Sequence, residues 1–311
     1  MLAAAMALSC TVCVSAAEDE TIKLTVWGAE EDQDLLKELT DKFQEKYADQ
    51  KFDIQIGVES ESTAKDTILT DVEAGADVYA FADDQLTDLV KAGALLKLDD
   101  YAEVLQLVDT TLDDVKAANV EGAIDAASWD SLLEAADKAG KKVGMTLASG
   151  NLVACVSGTW DAITAQDVFG DGYAATKLPT FTVGDKQVQQ GSVAGYKYVG
   201  VNGYSENSGW AVLLAEYLTN EESQQMFFDQ RESGPSNKNV AASDSVQENV
   251  ALAALSAQSE YAQAQKVGGK YWDSAQTFGE LVAQGTLSAD DDNAIQEALD
   301  NLVDGVTAPV E

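Results

Sequence analysis

The stretch Asp77-Val78-Tyr79-Ala80-Phe81-Ala82-Asp83-Asp84-Gln85 decides how the chain folds. Val78 to Phe81 is apolar without period-2 alternation, the pattern of a strand covered on both faces. Asp84 stands at a helix N-cap position, Leu86, Leu89 and Val90 form the helical stripe that follows, and Gly93 sits where a left-handed C′ glycine closes a helix. In an open α/β sheet, ligands bind outside the carboxyl ends of the strands. The end of this strand offers one aromatic, Phe81, beside Asp83 and Asp84. A ring next to carboxylates suits a molecule that is polar at its edge and apolar on its face, such as a sugar.

Outward from this stretch, toward the N-terminus, the same logic repeats. Ile22, Leu24 and Val26 alternate with Lys23 and Thr25 in a strand that ends at Trp27-Gly28, before the acidic loop Ala29-Glu30-Glu31-Asp32. Leu35, Leu39, Phe43 and Tyr47 recur at i+4 as the buried stripe of a helix. Phe52, Ile54, Ile56 and Val58 alternate in a second strand; Ser62 caps a helix with Ile68, Leu69 and Val72 inward and Gly75 at its end. The order β-α-β-α-β-α predicts a sheet covered by helices.

Toward the C-terminus the elements are less regular. Trp129, Leu132, Leu133 and Ala136 predict a helix, and 143–147 and 151–156 predict strands, the second ending at Ser157-Gly158-Thr159-Trp160-Asp161. Residues 173–179 read as a strand entering a loop and 191–201 as another strand. Trp210, Leu213, Leu214, Tyr217 and Leu218 form a helical stripe, and Thr219-Asn220-Glu221-Glu222 is a capping box opening the next helix. Trp272, Ala275, Phe278 and Val282 mark a further helix; Ile295, Leu299, Leu302 and Val306 mark a last one, with Asp290, Asp291 and Asp292 at its positive end.

Composition limits the function classes. The chain has 311 residues, 54 acidic against 19 basic side chains, a formal net charge of −35, and no histidine. Such a surface repels nucleic acid and anionic lipid headgroups. The missing histidine removes Ser-His-Asp and Cys-His catalysis, histidine-ligated metals and histidine pH switching. Carboxylate-only glycosidases survive that filter. The first 17 residues are apolar and turn acidic at Glu18-Asp19-Glu20, with small residues Ser15-Ala16-Ala17 at the junction; this reads as the h-region of an export signal, too short to span a bilayer comfortably. Ala7-Leu8-Ser9-Cys10 is an imperfect lipoprotein box. Cleavage after Ala17 leaves Cys155 as the one cysteine, read as a small buried hydrophobe.

An ordered set of segments carries a resemblance. Leu24-Thr25-Val26-Trp27-Gly28, residues 76–84 followed by Ala92-Gly93-Ala94-Leu95-Leu96, Val156-Ser157-Gly158-Thr159-Trp160, residues 174–181, Gly234-Pro235-Ser236-Asn237 and Lys270-Tyr271-Trp272 run in the order found in extracellular solute-binding proteins of ABC importers, of the maltose and maltodextrin type. The resemblance implies an α/β, two-lobed periplasmic-binding-protein fold with discontinuous lobes and sugar held in the cleft between them. It places one lobe at 18–122 plus 190–235 and the other at 123–189 plus 236–311. It implies a stacking aromatic at Phe81, a hydroxyl-accepting carboxylate at Asp84, an acidic cleft loop at Glu30, Glu31 and Asp32, and second-lobe stacking aromatics at Trp160 and Trp272. It also implies an oligosaccharide ligand, ABC permease subunits as partners, a monomer, an exported location with or without a lipid anchor, and neither enzymatic activity nor cofactor.

Each residue has a plainer reading beside that one. Asp84 as N-cap, Phe81, Trp27 and Trp272 as core, and the acids at 30–32 as a solvated first helical turn are all consistent with the pattern. The chain also departs from the family by being short: the segments usual between Ser128 and Trp129 and between Gly150 and Asn151 are absent, so the second lobe is expected to be incomplete. A glycosidase and a surface sugar sensor remain as alternative functions.

Overall fold

The computed structural model describes residues 21–98, 142–143, 152–264, 271–288 and 290–307. Three parallel strands, β1 (Ile22–Gly28), β2 (Phe52–Val58) and β3 (Val78–Ala82), and an antiparallel fourth, β9 (Lys197–Val201), form a sheet in the order β2-β1-β3-β9. The chain therefore leaves this sheet after β3 and returns to it more than a hundred residues later, pairing Val78 with Val201 and Ala82 with Lys197.

Asp77 fixes where β3 enters. Its Oδ2 accepts from the backbone N and the Oγ1 of Thr25, both at 2.8 Å, and its own N–H donates to that Oγ1 at 2.9 Å. Ser205 Oγ donates to the other oxygen at 2.5 Å. These bonds occupy the place just ahead of the first β1–β3 pair, Val26 with Val78, so the register is set by a side chain as well as by the ladder.

Both faces of the sheet are covered, as the unalternating run at 78–81 requires. On one face Ile22, Leu24 and Val26 meet Leu35, Leu36, Leu39 and Phe43 of α1 (Gln33–Lys46) and the residues Ala211, Leu214 and Leu218 of α5 (Ser208–Thr219). Phe43 is the centre of an aromatic group, with ring centroids 4.9 Å from Tyr47, 5.4 Å from Phe52 and 5.8 Å from Tyr217. On the other face Tyr79, Phe81, Leu89 and Ala94 pack with Ala64 and Ile68 of α2 (Ala64–Thr70). The helix α3 (Leu86–Lys91) stops as its glycine predicts. Gly93 has φ +69°, its N–H bonds to Val90 O, and Ala94 N–H bonds back to Leu89 O.

Several details differ from the sequence reading. A 3-10 turn at Asp83–Gln85 precedes α3, so Asp84 lies inside a turn and makes no side-chain cap. The helix α2 ends at Thr70, before the turn that reaches Gly75. Residues 173–179 are irregular; the strand β6 (Thr180–Val183) starts after Pro179 and pairs with β7 (Lys186–Gln189). The expected strand at 191–201 is two, β8 (Ser192–Ala194) and β9. In the capping box, Asn220 is the cap: its Oδ1 accepts from Ser223 N at 2.9 Å and opens α6 (Glu221–Arg231).

The remaining described elements are β4 (Lys142–Val143) paired with β5 (Leu152–Ala154), α4 (Ala162–Phe169), the short helices α7 (Lys238–Ala241) and α8 (Asp244–Gln247), and α9 (Val250–Ser259), whose Gln258 ties Leu178 and Gln190 together. Next come β10 (Ala262–Ala264), paired with β8, and the helices α10 (Tyr271–Ala283) and α11 (Asp292–Thr307), which pack on each other. Asp291 Oδ1 accepts from Ala294 N, so the acidic run caps α11. The helix expected around Trp129 and the two places of expected shortening, 127–129 and 149–151, lie outside the described residues.

Candidate functional site

The topology itself marks a crevice. The connection from β1 to β2 runs through α1 on one face of the sheet, and that from β2 to β3 runs through α2 on the other, with β2 and β3 flanking β1. The loops leaving β1 and β3 thus diverge at the switch point of the sheet, where open α/β folds bind ligands. One loop is the 3-10 turn Glu30–Asp32 and the other is Asp83–Gln85, so two of the sequence-predicted acidic groups share this edge.

Side-chain amides hold both loops. Gln33 Nε2 donates to Gly28 O, Ala29 O and Gly57 O at 2.9 to 3.3 Å, fixing the exit from β1. Gln85 donates to Glu61 O at 2.7 Å and Ser62 O at 2.9 Å, and its Oε1 accepts from Lys65 N at 3.0 Å. These bonds bind the exit of β3 to the start of α2. Sequence reading passed over both glutamines, because an amide that satisfies distant carbonyls leaves no local pattern.

Glu30 and Glu31 are exposed. Asp32 is partly buried, and Arg231 Nε at the end of α6 donates to its Oδ1 at 3.1 Å. Burial pushes the Asp32 carboxyl above its ordinary range, against the pull of Lys197 and Arg231. Lys197 Nζ meets Glu61 at 2.7 Å, so the acids at this edge are interleaved with two cations. An exposed pair of that kind contributes about 0–1 kcal/mol, and its role here is placement rather than stability.

Phe81 is a correction. The ring is 2% exposed and lies within the core formed with Tyr79, Leu89 and Ala94, so it offers no face to a cleft. A strand covered on both sides has no free side at its last apolar residue. The exposed aromatic here is Tyr198 of β9, 40% exposed, whose ring centroid is 5.7 Å from that of Phe81 in an edge-on contact. It was invisible to a reading of the 77–85 stretch because it comes from the returning strand.

The structure joins two expected residues directly. Trp272 Nε1 on α10 donates to Asp84 Oδ2 at 2.9 Å across 188 positions of sequence, and the Trp272 side chain remains 48% exposed. The Oδ1 atoms of Asp83 and Asp84 are buried and have no hydrogen-bond partner among the described residues. An unsatisfied acceptor of this kind costs about 1–3 kcal/mol, more when it is charged. Burial raises the Asp83 pKa, which a backbone hydrogen bond from Tyr196 partly offsets. Trp160 projects from the 3-10 turn Thr159–Asp161, 82% exposed, and its ring lies over Gly158, where a Cβ would fall 2.1 Å from it. That turn packs on α4 and α9. A trough of about 580 Å³ lies apart from these residues, between Trp27, Thr63, Asp66, Thr67 and Thr70 on the α2 side.

Among the described residues no group of three or more histidine, cysteine, aspartate or glutamate side chains is placed to hold a metal ion. No helix among them is long and apolar enough to cross a membrane.

Residues 138–254 match the family described as bacterial extracellular solute-binding protein. No curated protein matches the chain. Among solved structures, one determined with acarbose is 24% identical, superposes with a TM-score of 0.72, and is covered over 99% of its length by 92% of this chain. The maltodextrin-binding protein of L. casei BL23, solved without ligand, gives 17% identity and a TM-score of 0.74, over 94% of this chain and 100% of that one. The maltose/maltodextrin-binding domain of Bdellovibrio bacteriovorus bound to maltotriose gives 14% and 0.70, over 92% and 100%. The chain has the two-lobed α/β fold of the extracellular solute-binding proteins and matches that family over residues 138–254.

Proposed function

We propose that this protein binds a neutral oligosaccharide of the maltodextrin class between two lobes and delivers it to the permease of an ABC importer. The observation that supports this best is the meeting of Asp84 and Trp272, a strand-end carboxylate at the switch point of the sheet and an indole brought to it from α10. Carboxylates accept hydrogen bonds from sugar hydroxyls, and an indole offers its face to the apolar face of a pyranose. The protein acts on the sugar by holding it and not by cleaving it. One lobe comprises 18–122 with 190–235, the other 123–189 with 236–311, and the chain is exported by its first 17 residues. Asp32, Asp84, Trp160 and Trp272 are the ligand contacts in this reading, with Glu30 and Glu31 at the rim and Tyr198 in the place first given to Phe81.

The test is calorimetric titration of the mature protein with maltose, maltotriose and longer maltodextrins, followed by chromatography of the recovered sugar. Saturable heat and intact sugar are expected. Shortened sugar in proportion to protein would favour a carboxylate glycosidase, and the absence of binding across the panel would reject the reading.

A further inference from the structure

We propose that Trp272 and Asp84 form a latch that occupies the binding site from within: the indole N–H takes the carboxylate oxygen that a sugar hydroxyl would use, and binding requires the latch to open. The inference rests on the reading that Asp84 faces the ligand. Three observations carry it. The bond is a charge-assisted one of 2.9 Å between the sheet and a helix far along the chain. The helix that bears the indole is one arm of a closely packed pair, α10 and α11. Gly305 of α11 admits Ser274 of α10 so closely that a Cβ there would lie 2.3 Å from its Oγ, and Gly285, at φ +69°, closes α10 in the segment between the two helices. The second oxygen of Asp84 and one of Asp83 are buried and have no hydrogen-bond partner among the described residues. The latched state leaves these acceptors unsatisfied, whereas an opened site exposes them to water or to sugar hydroxyls. A bound state with its own balance of hydrogen bonds thus competes with a latched one, the condition for a two-state element.

The test uses the full mature chain without sugar. Trp272→Phe keeps the ring and removes the donor; Asp84→Ala removes the acceptor; Asp84→Asn keeps an acceptor oxygen. Hydrogen exchange of amides in 271–283 should accelerate about tenfold in Trp272→Phe and in Asp84→Ala, no further in the double variant, and much less in Asp84→Asn. Unchanged exchange in Trp272→Phe, or additive effects in the double variant, would overturn the latch. A kinetic arm adds maltotriose: the observed binding rate of the native protein should level off with sugar concentration at the opening rate, and Trp272→Phe should lift that plateau. A native rate that rises linearly over the whole range would also overturn the latch. Failure of any maltodextrin to bind would defeat the proposed function, while the exchange measurement would still decide whether the latch exists.

Discussion

The sheet β2-β1-β3-β9 and the smaller sheets downstream differ in the length of their strands and in how far they are enclosed. The first has strands of five to seven residues, enclosed by α1 and α5 on one face and α2 and α3 on the other. The pairs β4–β5, β6–β7 and β8–β10 have strands of two to four residues. In the first region apolar side chains are enclosed: Val78, Tyr79, Leu39 and Phe43 have no exposed surface. In the second, Phe181 is 41% exposed and Val183 55%. The two lie on one face of the β6–β7 hairpin, with Val188 opposite Phe181. Among the described residues, what separates the two regions is enclosure: the four-stranded sheet has helices packed on both faces, whereas the hairpin face that bears Phe181 and Val183 is open.

The sharpest way to break this comparison is to truncate one aromatic in each region. Phe43→Ala removes the centre of the group formed with Tyr47, Phe52 and Tyr217, and should destabilise the protein by about 3–5 kcal/mol in urea unfolding. Phe181→Ala should cost no more than about 0.5 kcal/mol, as at an exposed site. Equal losses would mean that the hairpin is buried in solution and that the two regions do not differ as described.

Hydrogen exchange sharpens the same contrast without mutation. Amides in 22–28, 52–58 and 78–82 should exchange only with global opening, whereas those of 152–154 and 180–189 should exchange through local opening, on the order of a hundredfold faster. Uniform protection would show that the downstream lobe has completed its own core. It would also remove the basis for the expectation that the second lobe is incomplete.

The legible part of the sequence follows this division. The β-α-β-α-β-α run could be read because each strand alternates, or fails to alternate, according to how many faces are covered, and because Gly93 and Leu35, Leu39 and Phe43 mark the helices between. What could not be read are long-range events. The sequence at 77–85 suggests an aromatic beside carboxylates, and the structure retains the carboxylates but encloses Phe81, since a face covered by α2 and α3 leaves no free side. Tyr198 and Arg231 reach the edge from a strand and a helix more than a hundred residues away, and no periodicity announces them. Gln33 and Gln85 hold the two loops through backbone carbonyls, which have no sequence signature at all. Asp84 illustrates the limit well: its position suggested a helix cap, but its partner is an indole 188 positions away.

Trp160 tests whether an exposed ring in the less enclosed region serves binding. With 82% of its surface free, Trp160→Ala should leave the unfolding midpoint unchanged. It should weaken maltodextrin binding by about 1–3 kcal/mol, the scale of stacking a flat ligand face on an aromatic. Unaltered affinity in the calorimeter would remove Trp160 from the site and leave Trp272 and Tyr198 as the rings available for stacking there.

The smallest effect expected is a pH dependence that involves the turns leaving the well-packed sheet. Burial raises the pKa of both Asp32 and Asp83 above the ordinary 3.8. A carboxyl with a raised folded pKa takes up its proton in the folded state first. Its contribution to stability is therefore gained as pH falls through the folded value and lost as pH rises through it. The window opens at the ordinary carboxylate value and extends upward to the folded one. General relief of repulsion in a chain of net charge −35 acts in the same direction, so the unfolding midpoint should rise as pH is lowered from 7 toward 4. Asp83→Asn separates the two causes. Removing one acid of 54 hardly alters the overall repulsion, but it abolishes the cost of ionising this buried carboxyl. The variant should be more stable than the native protein at pH 7, with an advantage that shrinks toward pH 4. An advantage that stays constant with pH would assign the effect to packing rather than to charge. No advantage at pH 7 would mean that the unpaired oxygen of Asp83 finds a partner in solution, and that the strand end at the switch point is better satisfied than its contacts within the protein suggest.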